Sequence, residues 1–284
     1  SEACLGDFID GFGRRVFRRP VTTAERARYL ELRGTGTPPA EIARSVLFTF
    51  FLSPPFLYRF EHEGTPLPSD PAVLALSPHE VASRLTFHFW RSMPDEALLA
   101  AADSGELGTD AGYNAALERV FADARTKATI RRFFGQWFQL DGFEGFADTP
   151  AFRAFAADVE AGPALVAAMR EEVDDLVDHY TWQSGGTYTD LLTSNLSFAR
   201  AAELAALYGV RAWSGSGAPP ALPANERSGL LTRAALLVEG NELTNPVKRG
   251  AFVLRHVLCS GSSGGIASAS RPRPRRRSAP AATA

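Results

Sequence analysis

The sequence predicts an all-α chain: about ten helices in three packed units, followed by a disordered tail. Three observations lead there. Apolar residues recur at three- to four-residue spacing along most of the chain. Helix start and stop signals are dense. Alternating strand patterns are nearly absent, and only four isoleucines occur among 284 residues. At 45% hydrophobic and 22% charged, the composition is that of a globular protein with a sizeable core.

Cys4, Phe8, Ile9, Phe12 and Val16 place one apolar face on a helix over residues 3–17, which must end before Pro20. Thr22-Thr23-Ala24-Glu25 is a capping box, in which hydroxyl and carboxylate each satisfy an orphan backbone donor. Its helix runs to about Gly34. Thr37-Pro38 opens a third helix, and Ser53-Pro54-Pro55 stops it. The stretch 63–75, rich in Pro and Gly, reads as a loop. A second capping box, Ser77-Pro78-His79-Glu80, starts a helix to Trp90, and Pro94-Asp95-Glu96 starts another ending near Gly105. Helices are expected near 110–123, 125–140, 157–182 and 188–193, then from a Ser197 cap to Gly209, and last near 228–239 and 246–258. The Pro/Gly-rich stretch 211–226 is a loop. These breaks give units at 1–63, 64–210 and 211–259, with an Arg/Ser/Gly/Ala-rich tail at 260–284.

The formal net charge of −2 averages two unlike pieces. Residues 260–284 hold five arginines and no acid, leaving 25 basic against 32 acidic residues in 1–259. No recognition motif accompanies the basic tail, so no specific nucleic-acid partner is expected. A proline run in a GC-rich gene, read in a shifted frame, becomes arginine and alanine, so a frameshift is one origin for this tail. No apolar run approaches the roughly 18 residues of a membrane-spanning helix. The opening Ser1-Glu2-Ala3-Cys4 carries no signal-peptide pattern and reads as a processed or excised piece. Cys4 and Cys259 sit near the two ends of the folded part. They could pair with each other, pair with flanking sequence, or stay free. No C-x-x-C-H occurs, so no covalently attached haem or other cofactor is evident.

Four separated segments are distinctive: Phe12–Pro20, Leu52–Glu61, Phe89–Glu96 and Asn245–Gly250, the last running on to Leu258-Cys259. In this order they resemble an uncharacterised planctomycete and myxobacterial family of cytochrome-c-associated domains, as three consecutive modules over residues 4–259. The resemblance implies an extracytoplasmic location, in the periplasm or at the cell surface. It also implies a c-type cytochrome module or other domains of a longer protein as partners. It supplies no catalytic residues.

The most chemical-looking stretch is Glu171–His179. Glu171, Asp175, Asp178 and His179 fall on one helical face at i, i+4, i+7 and i+8, as catalytic or metal-binding carboxylates and an imidazole on adjacent turns would. A solvated acidic face is the commoner meaning of such a run. His88, between Phe87 and Phe89, reads as a core or boundary residue, and His62 as a solvent-exposed helix-end residue. Gly261-Ser262-Ser263-Gly264-Gly265 fits the hydrolase elbow pattern by accident, lacking the strand and helix that motif needs. Arg14, Arg15, Arg18 and Arg19 form a basic stripe expected to cap carbonyls and pair with acids. The aromatic clusters at 48–58, 87–90 and 133–138 are read as core. The leading reading is a scaffold or interaction module. The alternative is a metal-dependent hydrolase or haem-partnered redox enzyme centred on residues 171–179.

Overall fold

A computed structural model describes residues 2–34, 36–61, 63–140, 148–156, 158–238 and 246–260. The chain is 62% helical, with fourteen α-helices and one two-stranded sheet among the described residues. It divides into two compact units, Ser1–Arg132 and Phe133–Ala284.

The first unit opens with α1 (Glu2–Phe17), α2 (Thr23–Leu30), α3 (Pro39–Leu52) and the short α4 (Pro54–Leu57). The Thr22 capping box forms as read: the Thr22 hydroxyl accepts the Glu25 N–H at 3.2 Å, and the Glu25 carboxylate accepts the Thr22 N–H at 2.9 Å. Ile9, Val16, Phe17, Tyr29, Val46 and Phe50 make the core of this part. Gly13 permits the close packing of α1 on α3, because a Cβ there would lie 2.8 Å from the Phe50 ring. The second capping box, at Ser77, starts α5 (Pro78–Phe89); Asp95 and Thr109 cap α6 (Glu96–Asp103) and α7 (Asp110–Ala122). A separate core of Ala82, Leu85, Trp90, Leu98, Leu107 and Val120 binds α5 to α7, and the Trp90 indole N–H donates to the Val120 carbonyl at 3.0 Å. The division between units falls within α8 (Ala124–Trp137).

The stretch 63–75, read as a loop, instead forms an antiparallel hairpin of β1 (Thr65–Leu67) and β2 (Asp70–Ala75). Its residues are almost all exposed, so no apolar alternation marks it in the sequence, and Pro66 and Pro71 argue against strands.

The second unit contains α9 (Pro150–Phe155), α10 (Pro163–Asp178), α11 (Tyr188–Thr193), α12 (Ala202–Leu207), α13 (Ala234–Leu237) and α14 (Pro246–Phe252). Helix α10 is its centre, burying Leu165, Met169, Val173, Leu176 and Val177 and packing on α12 and α13. It continues into a π-helical turn at His179–Gln183. Ser197 does not cap a helix. It is buried in a non-helical segment where its N–H reaches the Pro220 carbonyl at 2.7 Å and Leu196 bridges Ala221, so α12 starts only at Ala202. The expected helix at 228–239 is likewise broken into a 3₁₀ turn at Leu230–Thr232 and the four-residue α13, with Arg233 extended between them.

The aromatic clusters are only partly core. Phe50, Trp90, Phe134 and Phe138 are buried, whereas Phe48, Phe51, Phe56, Tyr58 and Phe133 are exposed. His88 is exposed as well. Residues 261–284, which hold the arginine run and the elbow-like pattern, lie outside the described residues, as do His62 and Asn245.

Candidate functional site

Helix α10 distributes its charges unequally. Glu171 is exposed, whereas Asp175 and Asp178 are buried and His179 is half-buried. Arg200 clasps Asp175 with a two-pronged contact, Nε to Oδ2 at 2.5 Å and Nη2 to Oδ1 at 2.7 Å, and its Nε lies 3.8 Å from Glu171 Oε1. The His179 ring lies against Phe198, centroids 5.1 Å apart, with Nδ1 3.4 Å from Gln183 Oε1. Glu171 and Asp175 thus face the same guanidinium. Among the described residues, no three His, Cys, Asp or Glu side chains come together so as to hold a metal ion.

The strongest polar cluster of this unit uses the neighbouring acid, Glu172. Both Glu172 and Arg233 are 1% exposed, and Arg233 Nη1 lies 2.9 Å from Glu172 Oε1. The Tyr208 hydroxyl donates to Glu172 Oε2 at 2.6 Å and accepts the Ala234 N–H at 2.8 Å; the Phe198 N–H also serves the carboxylate. Arg233 Nη2 donates to the Ser194 carbonyl at 3.0 Å, while its Nε finds no partner. Burial pushes the Glu172 carboxyl up, and the Arg233 charge and the Tyr208 bond oppose it. The same burial, with the Glu172 charge beside it, raises Tyr208 well above the ordinary phenol value. This cluster ties α10 to the segments around 194–208 and 233–234. Its groups are spent on one another, which is the arrangement of a structural tie.

Sequence reasoning passed over both ends of this pair. The available signal was position. Leu165, Met169, Glu172 and Leu176 fall at i, i+4, i+7 and i+11, an apolar stripe with one acid in it. Arg233 is the lone charge between Leu230-Leu231 and Ala234–Val238. A charge on a buried stripe requires a buried partner.

The first unit carries a different feature, a cleft of about 390 Å³. Phe17, Arg18 and Arg19, at and just past the end of α1, line one side; Pro54, Pro55, Tyr58 and Arg59, around α4, line another; Phe60, Glu61 and Glu63, and His79, Glu80, Ser83 and Arg84 on α5, complete it. Arg18 takes a left-handed backbone, φ 61°, rare for a side-chain-bearing residue, and this follows the helix end directly. Its guanidinium, 8% exposed as a residue, donates to the carbonyls of Val16 (3.2 Å), Pro55 (2.6 Å) and Tyr58 (3.1 Å). Arg18 and Arg59 both lie over the Phe87 ring, 5.6 Å and 4.8 Å from its centroid. Burial, with the charges of Arg59 and Arg19, lowers Arg18 from its ordinary value. Two others of the basic stripe are paired: Arg14 bridges Glu96 and Asp103, and Arg19 reaches Glu25 and Glu63, both at 2.9 Å, while Arg15 is exposed. Beside the cleft, Phe48, Phe51, Leu52, Phe56, Leu57, Tyr58 and Phe60 leave an exposed aromatic and aliphatic face on α3, α4 and the residues after them.

Residues 4–61 match the family described as PSD5, protein of unknown function (DUF1595), and residues 76–210 match PSD4, protein of unknown function (DUF1592). The chain carries a PSD5 and a PSD4 domain, both of unknown function. No curated protein and no solved structure matches it. The cleft is assembled from both domains, since Phe17 to Arg19 and Pro54 to Glu61 belong to PSD5 while His79 to Arg84 belong to PSD4. Two of the distinctive sequence segments thus meet at one place, Arg18 of the first donating to Pro55 and Tyr58 of the second. The PSD4 match runs on past Arg132 into the second compact unit, where it includes Glu172 and Tyr208 but not Arg233. Cys4 and Cys259 are both exposed and lie in different units. No described helix is long and apolar enough to cross a membrane.

Proposed function

We propose that this chain is an interaction module of a longer, extracytoplasmic, cytochrome-c-associated bacterial protein, and that it works by docking other domains. The observation that carries the reading is the exposed face of Phe48, Phe51, Leu52, Phe56, Leu57, Tyr58 and Phe60; Phe48 is 66% and Tyr58 62% exposed. Large apolar side chains clustered on a surface mark an interaction site more often than chance placement. The buried carboxylates of α10 support the same reading from the other direction. Asp175 and Glu172 are held by arginines, so they are tied into the fold rather than presented to a substrate. The extracytoplasmic setting and the cytochrome partner rest on the family resemblance of the four sequence segments.

The test is titration of the full chain with a monohaem c-type cytochrome, followed by chemical-shift changes in the chain. A saturable complex that disappears in the double variant Phe48→Asp/Leu52→Asp, both outside the cleft lining, is the expected result. Both side chains are exposed, so the variant should keep its helical circular dichroism. No complex, or one indifferent to the two substitutions, would contradict the proposal.

A further inference from the structure

Arg18 is a buried cation whose described partners are all neutral. Its three hydrogen bonds go to main-chain carbonyls, and Arg59, the guanidinium that shares the Phe87 ring with it, is exposed and has no carboxylate within ion-pair distance among the described residues. Every other basic side chain on the cleft has an acid beside it: Arg19 has Glu25 and Glu63, Arg84 has Glu61 at 3.6 Å, and the His79 ring lies 2.8 Å from Asp103. Two like charges on one ring, one of them withdrawn from water, cost free energy that a neighbouring anion would recover. The walls beside them, Phe17, Pro54, Pro55 and Tyr58, are largely apolar. At about 390 Å³ the cleft falls in the size range of small-molecule sites.

We propose that this cleft binds a small organic acid, its carboxylate held between Arg18 and Arg59 and its apolar body against Phe17, Pro55 and Tyr58. Arg59 offers a carboxylate the paired N–H donors of a planar guanidinium, whereas Arg18, whose Nη2 is spent on Pro55 and Tyr58, adds its charge and a single N–H from Nε or Nη1 and is held in place by its carbonyl contacts. The apolar walls favour a carboxylate carrying a ring or short chain over an inorganic oxyanion, which would leave them wet. The inference does not depend on the aromatic face of α3 and α4 being a docking surface.

Calorimetric titration of the full chain with benzoate, neutral benzamide and inorganic phosphate, at constant ionic strength, tests it. Benzoate should saturate one site and bind at least about 10-fold more tightly than either of the other two. Arg59→Gln, at an exposed position, should weaken benzoate about 10-fold without moving the unfolding midpoint, while Arg15→Gln, exposed on α1 and outside the cleft lining, should stay within about 2-fold of the parent. Arg18→Gln, checked for retained helicity, should abolish the site. Heat that grows without saturation, phosphate or benzamide binding as well as benzoate, or an unchanged affinity in Arg59→Gln would each overturn the proposal.

Discussion

Two arginines of this chain are almost completely withdrawn from water, and they are treated in opposite ways. In the second unit Arg233 meets Glu172 at 2.9 Å, and Tyr208 completes the carboxylate's shell. In the first unit Arg18 meets only carbonyl oxygens and the face of Phe87. The difference teaches what each region is for. A buried charge with its counter-charge beside it holds a fold in one arrangement. A buried charge without one is held in place by the fold and keeps its attraction for something outside. The charge-neutral core belongs to architecture, and the cation-bearing cleft to recognition.

The largest effect should come from breaking the neutral pair. Glu172→Ala strands Arg233 in the core of the second unit, and breaking a buried pair in this way costs about 3–5 kcal/mol. Denaturant unfolding should show that loss, and Glu171→Ala, one residue away and exposed, should show almost none. Arg18→Met should cost less, about 1–2 kcal/mol, because it strands three carbonyls but also removes an uncompensated charge. If Arg18→Met proved as damaging as Glu172→Ala, the two arginines would be equivalent structural ties.

Acid should sharpen the comparison within the first unit. Burial pushes Glu25 up, but Arg19 and the Thr22 N–H and hydroxyl outweigh it and hold the carboxyl at about 2 instead of 4.5. A depressed carboxyl contributes stability that is complete above its unfolded value and is lost as pH falls through the folded one. That contribution should therefore fade between about pH 4.5 and 2, and carboxyl chemical shifts should report the titration. Thr22→Ala should cost about 1 kcal/mol at neutral pH and narrow that window. Smallest of all, Phe48→Ser should change stability by less than about 0.5 kcal/mol, since the ring is exposed.

Much of the helical framework was legible in the sequence, because local chemistry specifies it. The Thr22 and Ser77 capping boxes and the Asp95 cap lie where their spacing places them. The hairpin at 65–75 was not legible, since its pairing is carried by main-chain bonds between exposed residues. Ser197 and residues 228–239 misled for a related reason: tertiary bridges to Pro220 and the Arg233–Glu172 pair override local helix preference there. The exposed aromatics of α3 follow from the run Phe48–Leu52, apolar at every position but Thr49, although the helix buries only Val46 and Phe50 at four-residue spacing. As for the sites, the acidic run of α10 was visible, but a run of charges hides which member faces inward. The cleft depends on Arg18 reaching residues 37 to 40 positions away, and helical periodicity carries no information on that.

The central contrast can be read in one spectrum. Arginine Nε–H resonances of the full chain, followed through a benzoate titration, report each guanidinium separately. The account predicts that Arg18 and Arg59 move together to saturation while Arg233 and Arg200 stay where they are. A uniform drift of all arginines in proportion to added benzoate, or an unmoved Arg18, would contradict it.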